Sequence, residues 1–257
     1  MNKNELILDR VRSLSVYDLE TDDMMFRLAS LEDPSLNTTA EGEEVVDAFG
    51  SVIANLYRAK KGAFSATNSL LSLDLAAAQY GSTKEIASET DMFDVLAYQI
   101  LKVEDGKVKI EKENLNVDSV KLYPYVDGDI GTKFKSGESA SADTFVVAED
   151  GTITVPTGVT GKVFVDYSYK SKDAIRIINR ASEFPSACKV VIHAFFRDKC
   201  NENKIYVGNI VCPKAKLNPE QVELALTSTG KHPFEFTMMK DYCDESEDKL
   251  FYITLAQ

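Results

Sequence analysis

The sequence predicts a mainly β, antiparallel fold with one packed α-helix. Apolar and polar residues alternate with the period of a half-buried strand through most patterned segments, as Phe234, Phe236 and Met238 do in PFEFTMM. Asp-Gly, Ser-Gly and Thr-Gly turns recur at the roughly 8–12-residue spacing of short strands, most densely between Asn114 and Tyr169. Helical periodicity is confined to LLSLDLAAAQYG, which ends at Gly81. With 44% hydrophobic residues over 257 positions, the chain can bury a sizeable core, as one large β domain or one domain carrying an insertion.

Residues 1–43 read as an N-terminal arm and a first strand. MNKNELILDRVRSL carries charges through its apolar run and lacks a small-residue cleavage site, so it is read as an arm and not a signal peptide. Its apolar patch (Leu6, Ile7, Leu8, Val11) precedes the acidic YDLETDD, and Met24 to Leu31 is a candidate strand ended by Asp33-Pro34. Residues 44–113 form the first half of the main domain. EVVDAFG and SVIANLYRA are expected to be two strands about Gly50-Ser51, with Phe64 and Ser65 in a third, short extended piece. Asn68-Ser69 offers an N-cap to a helix over 69–80, whose apolar face holds Leu70, Leu71, Leu73, Leu75, Ala76 and Ala78 and whose C-cap is Gly81. FDVLAYQILKV and KVKIE flank Glu104-Asp105-Gly106, a strong hairpin signal.

Residues 114–169 behave as an inserted small β-sandwich-like module, with strands VKLYPYV, TFVVAE, TITVP and KVFVDYSY. Residues 170–257 complete the main domain through AIRIIN, KVVIHAFFRD, KIYVGNIVCP, EQVELALTS, PFEFTMMKDY and KLFYITLA. Pro213 and Pro219 suit a loop or sheet edge around CPKAKLNP. Val222, Leu224 and Leu226 alternate before Thr229-Gly230-Lys231, so a hairpin is expected between them and the strand through Phe234 and Phe236.

The chemistry-bearing patterns are absent. There is no GxSxG, GxxxxGK[ST], HExxH or GxGxxG opening a helix. The four cysteines (Cys188, Cys200, Cys212, Cys243) form no CxxC pair, which argues against a structural zinc site; buried or edge thiols are the expected state, with pairing left open. His193 lies in the strand KVVIHAFF, where a hydrogen-bonded structural imidazole is the default. Cys188 would face away from it, which weakens a Cys–His dyad. Asp127-Gly128-Asp129 starts like a calcium loop without the rest of its register and reads as a turn. The 41 acids neither support nor exclude a paired-carboxylate glycosidase, and with no Trp a sugar platform would rest on Tyr or Phe. No catalytic residue, cofactor or metal is expected, and no stretch approaches the roughly 18 apolar residues of a membrane span.

The formal charge is −12, from 29 basic and 41 acidic residues, and it is uneven: residues 1–50 hold 12 acids against four bases, Lys3, Arg10, Arg12 and Arg27. A surface built to grip nucleic acid is biased the other way.

EVVDAFGSVIANLYRAKKGAFSATNSLLSLDLAAAQYG, strand–turn–strand then helix, resembles the front half of major tail tube proteins of tailed bacteriophages. EFPSACKVVIHAFFRD with KIYVGNIVCPKAKLNPEQVELALTSTGKHPFEFTMMKDY resembles the back half, and DGTITVPTGVTGKVFVDYSY is similar to small β modules of phage virion proteins. The resemblance implies an antiparallel β-sandwich or barrel-like tail-tube fold with a flanking helix. It implies a virion structural protein made in the host bacterial cytoplasm, partnered by itself in stacked hexameric rings, by other tail proteins and by DNA passing an acidic lumen, with no membrane. Inter-subunit contacts are expected at the arm (Leu6, Ile7, Leu8), at Lys60, Lys61, Phe64 and Ser65, and at Gly137 and Ser139 in the loop SGESASADT. Another virion component (capsid decoration, tail completion or baseplate) or a non-enzymatic β-sandwich binding module stays open as the alternative.

Overall fold

The computed structural model describes residues 5–220, 222–224, 230–240 and 248–256. In chain order they form β1 (Leu6–Asp18), β2 (Met24–Leu28), β3 (Leu31–Val46), β4 (Val52–Asn68) and the helix α1 (Leu73–Gln79). Then come β5 (Glu85–Ile86), β6 (Phe93–Lys102), β7 (Lys107–Lys109), β8 (Leu115–Val126) and β9 (Asp129–Ile130). These are followed by β10 (Lys135–Ser136), β11 (Thr144–Val147), β12 (Thr152–Thr154), β13 (Lys162–Ser171) and β14 (Ile175–Arg176). The last four are β15 (Ala187–Asp198), β16 (Asn201–Leu217), β17 (His232–Met238) and β18 (Tyr252–Ala256). The mainly β, antiparallel class holds, with the short β10–β11 pair parallel. The chain divides into two compact units, one of residues up to Lys84 together with those from Ile177, the other Glu85–Arg176.

In the larger unit one eight-stranded sheet runs β2-β1-β15-β16-β17-β4-β3, with β18 also paired to β16. Both ends of the sheet feed one core: Phe26 and Leu28 from β2, Phe64 and Ala66 from β4, and Phe234, Phe236 and Met238 from β17. The sheet therefore curls, barrel-like, around its own apolar face. Its aromatic centre is ordered edge-on, with the Phe234 and Phe236 rings T-shaped at 5.8 Å.

The helix is shorter than its apolar run. β4 continues to Asn68, which is buried, so the N-cap falls on Ser72, whose hydroxyl accepts the Leu75 N–H at 3.3 Å. Gly81 ends it with φ +68°, and a Cβ there would lie 2.3 Å from the Phe184 carbonyl oxygen. α1 is tied to β17 by the fully buried His232. Its Nδ1 accepts the Ser72 N–H at 3.4 Å, its Nε2 donates to Gln79 Oε1 at 2.6 Å, and Gln79 Nε2 donates to the Pro233 carbonyl at 3.2 Å. That pattern requires the neutral ring.

Five segments depart from the reading above, four of them because ladder pairing absorbs residues that alone look like ends or connections. The N-terminal arm is an interior strand: β1 pairs with β2 and β15, and Leu14 and Val16 are buried in the core. Asp33-Pro34 does not end a strand but occupies a register shift in β3, where the missing N–H of Pro costs no ladder bond. Phe64 and Ser65 belong to β4 itself. Pro213 sits inside β16 where its register against β15 shifts, so CPKAKLNP is strand through Leu217. Of the expected hairpin near the C-terminus, only His232–Met238 is a strand; Val222–Leu224 are not, and Leu226 and Thr229 lie outside the described residues.

The smaller unit has two four-stranded sheets, β6-β13-β8-β9 and β10-β11-β12-β7, sharing a core of Val108, Leu122, Phe145, Ile153, Val165 and Tyr167 among others. It extends beyond 114–169 because β6 pairs with β13 along its whole length and β7 pairs with β12. The Glu104-Asp105-Gly106 signal is a real tight turn (φ +52° and +73° at Asp105 and Gly106) closed by Glu104–Lys107. It carries the chain from one sheet to the other, so β6 and β7 share no longer ladder. Asp127 and Gly128, also left-handed, turn β8 into β9.

Two outcomes follow from this packing. Deleting residues 1–20 removes β1 and is expected to abolish cooperative unfolding of the larger unit, while Leu14→Ala alone costs about 2–5 kcal/mol in urea denaturation followed by circular dichroism; a truncated chain that melts like the full one would show β1 dispensable. Burial holds the His232 pKa below its ordinary 6.5. Below that pH the unfolded chain takes up a proton that the folded chain resists, so stability falls as pH drops from about 6.5 towards the folded value. His232→Gln should flatten this part of the melting-temperature profile between pH 7 and 5.

Candidate functional site

In β4 the inward positions Gly62, Phe64, Ala66 and Asn68 are buried and alternate with half-buried neighbours. That alternation stops abruptly. The β3–β4 register shifts between Thr39 and Glu41, opposite Lys61 and Arg58, and Ala59 takes φ +50°. Beyond the shift the hairpin is exposed on both faces as far as its turn. At about 3.3 Å per residue, Glu41 to Asp47 and back makes an arm some 20–25 Å long.

The tip is built from one carboxylate: Asp47 accepts the N–H groups of Phe49 and Ser51, each at 2.8 Å, and Gly50 supplies φ +82°. Phe49 is thereby held outward, 94% exposed. Around it Val45, Val46, Val52, Ile53, Leu56 and Tyr57 are exposed as well. An apolar stripe of that extent on a two-stranded ribbon is unusual for a surface that stays in water.

The two faces of the arm differ in charge. One carries Glu41 and Glu43, answered by Lys61 at 3.2 Å and Arg58 at 3.5 Å. The other carries Gly42, Glu44 and Val46 opposite Tyr57, Asn55 and Val52. The Tyr57 ring packs against Gly42, 3.3 Å from where a Cβ would stand, and Glu44 makes no ion pair among the described residues.

The core-averse face of the large sheet has the opposite character. A second register shift in β1, between Val11 and Ser13, places Arg12 beside Arg10 over the ring of Phe195, at 5.7 and 5.5 Å. Arg27 Nη2 donates to the Ser13 hydroxyl at 3.2 Å. A cleft of about 200 Å³ lies among Arg12, Ser13, Arg27, His193, Phe195 and Val207. His193 fits the hydrogen-bonded structural role expected of it: Nδ1 donates to Asn209 Oδ1 at 2.8 Å, and Nε2 faces the Ser15 hydroxyl at 3.4 Å. Ser15 is 1% exposed, so this Ser–His–Asn row orients side chains and offers no accessible nucleophile. Nearby, Arg197 bonds Asp9 at 2.8 Å and holds its carboxyl below the usual range, and Lys189 pairs with Asp22.

The expected contact residues are scattered over these features. Leu6, Ile7 and Leu8 form the first rungs of β1 against Asp198, Arg197 and Phe196, with Ile7 and Leu8 about half exposed. Lys60 and Lys61 are exposed at the root of the arm, and Ser65 is half-buried. Phe64 is a correction: its ring is 2% exposed and packs 6.3 Å from Phe234, because β4 alternation points it inward. Gly137 and Ser139 are exposed in the smaller unit, where the Gly137 N–H is tied to the Phe145 carbonyl at 3.0 Å and Lys135, Ser141 and Thr144 lower the Asp143 pKa to about 2. The residues missed were those of the arm tip, read as ordinary strands; the clue was EGEE, where no apolar residue alternates.

Cys188 and Cys212 are buried in the core, and burial pushes both thiols up to about 12. Cys188 faces inward and His193 outward, which rules out their dyad. Cys200 is exposed and free, and Cys243 lies outside the described residues. Among the described residues no three His, Cys, Asp or Glu side chains come together as a metal set, and no helix is long and apolar enough to cross a membrane.

The family model described as "YomU/Tube protein family" matches residues 6–253. No curated protein matches the chain.

The thiol environments yield a direct check. In a Cys243→Ala background, a thiol-reactive dye at pH 8 should label one cysteine, Cys200, in the native protein and three after denaturation; rapid native labelling of Cys188 or Cys212 would contradict their burial.

Proposed function

The chain belongs to the YomU/Tube protein family, and on that premise we propose that it is the structural subunit of a phage tail tube, forming hexameric rings that stack into a conduit for DNA. The observation that carries this reading is the arm. A unit whose core is already closed by its own curled sheet still extends a ribbon with a 94% exposed phenylalanine and six further exposed apolar side chains. Leaving that surface in water costs free energy at about 25 cal/mol per Å², and self-association of identical subunits removes it.

Arm and sheet divide the work. The arm leaves its own sheet and packs on a neighbouring copy, while the ladder of the parent sheet holds its root in place. Repeated head-to-tail contacts of this kind close rings or continue as stacks, as a tube requires. The acidic excess suits the conduit, since phosphates moving past net-negative walls find few holding points. Such a protein acts by geometry and carries no catalysis, and its place is the virion tail.

Replacing residues 42–57 by Asn-Gly is expected to leave the melting transition of the larger unit in place and to remove rings or tubes from negative-stain electron micrographs. Phe49→Asp should raise the protein concentration needed for assembly by about tenfold or more. An arm-deleted protein that assembles at the wild-type concentration would reject the arm as the joining element.

A further inference from the structure

Charge in the larger unit is separated by location. On the sheet face turned away from the core, Arg12 and Arg27 make no ion pair among the described residues; their neighbours are the Phe195 ring and the Ser13 hydroxyl. On the arm, Glu44 lies opposite Asn55, beside Val46, Val52 and Tyr57, and makes no ion pair among the described residues. Each surface carries an unanswered charge beside exposed apolar side chains, and the signs are opposite.

We infer that the cleft bordered by Arg12, Arg27, His193, Phe195 and Val207 receives the Glu44 face of the arm of a second copy of this chain. This rests on the tube-subunit reading and gives that reading an acceptor. The arm cannot be satisfying the cleft within its own protomer, because Gly42–Val46 and Val52–Tyr57 are exposed. Its 20–25 Å reach is sufficient to extend onto an adjacent subunit. Glu44 then pairs with Arg12 and Arg27, and Val46 and Tyr57 cover the half-buried Phe195 and Val207, the latter 50% exposed in the single chain. An arm of this composition fits the cleft better than a nucleic-acid backbone does, since a phosphodiester would answer the two arginines and leave the apolar rim of both surfaces wet. Charge pairs at such a junction set register and encounter rate and are weakened by salt.

The test is a charge exchange on the full chain, with self-association followed by sedimentation velocity over a concentration series. Arg12→Glu and Glu44→Arg are both at exposed positions and should leave the melting transition intact. Each alone should raise the concentration for half-assembly by about tenfold or more, and the two together in one chain should restore it to near wild type. Wild-type assembly by both single variants would overturn the acceptor while leaving the tube reading in place. A wild-type chain that stays monomeric at every concentration would overturn both. A labelled single-stranded oligonucleotide is the final arm: if it binds the wild type, and Arg12→Glu removes that binding without changing assembly, the cleft serves phosphates and the proposal fails.

Discussion

The larger unit depends on β15, a strand paired along the length of both its edges, to β1 on one side and β16 on the other. Its even positions, Cys188, Val190, Ile192 and Ala194, are buried within a few per cent of zero exposure, while Lys189, His193 and Phe195 stand on the opposite face. The two-residue period of a strand thus creates the core and the open face in one stroke. A slip by one residue would exchange them, setting a lysine and an imidazole against Leu14 and pushing Ile192 into water. The many ladder bonds and the apolar burial on one side together forbid that slip.

Around this strand the sheet is shaped by places where the ladder shifts. Asp33-Pro34 in β3, Pro213 in β16 and Arg12 in β1 all occupy them. A residue that lacks an N–H, or that would otherwise break the alternation, is carried there without ending the strand. The shift at Arg12 matters most, because it moves a guanidinium to the open face beside Arg10. The shift at Ala59-Lys60 marks where β3 and β4 leave the sheet and become arm.

The net charge of −12 therefore conceals a useful asymmetry. Three of the four bases in the first 50 residues, Arg10, Arg12 and Arg27, meet on one face, although they are separated by as many as 17 positions in the chain. The acids of the same stretch are spread over the arm, the β1–β2 turn and the Glu32–Lys231 pair. A chain with one acidic projection and one basic recess has the polarity that a head-to-tail contact would use.

Class and most strands are legible in the sequence, because alternation and tight-turn residues are local signals: β6, β13, β15 and β17 show in their own side chains, and the turns at Gly50, Gly106 and Gly128 in theirs. The turn at Gly106 also shows the limit, since a local signal specifies a bend and not which sheet each strand joins. Long-range packing is what makes residues 6–18 an inner strand of the sheet, starts the helix after Ser72 and puts Phe64 in the core but not Phe49. Those outcomes depend on partners distant in sequence: β1 is made a strand by β15, some 180 residues on, and Phe49 is exposed because no strand among the described residues returns to cover it. The meeting of Arg12 and Arg27 is of the same kind, a product of strand pairing and one register shift that no local period encodes.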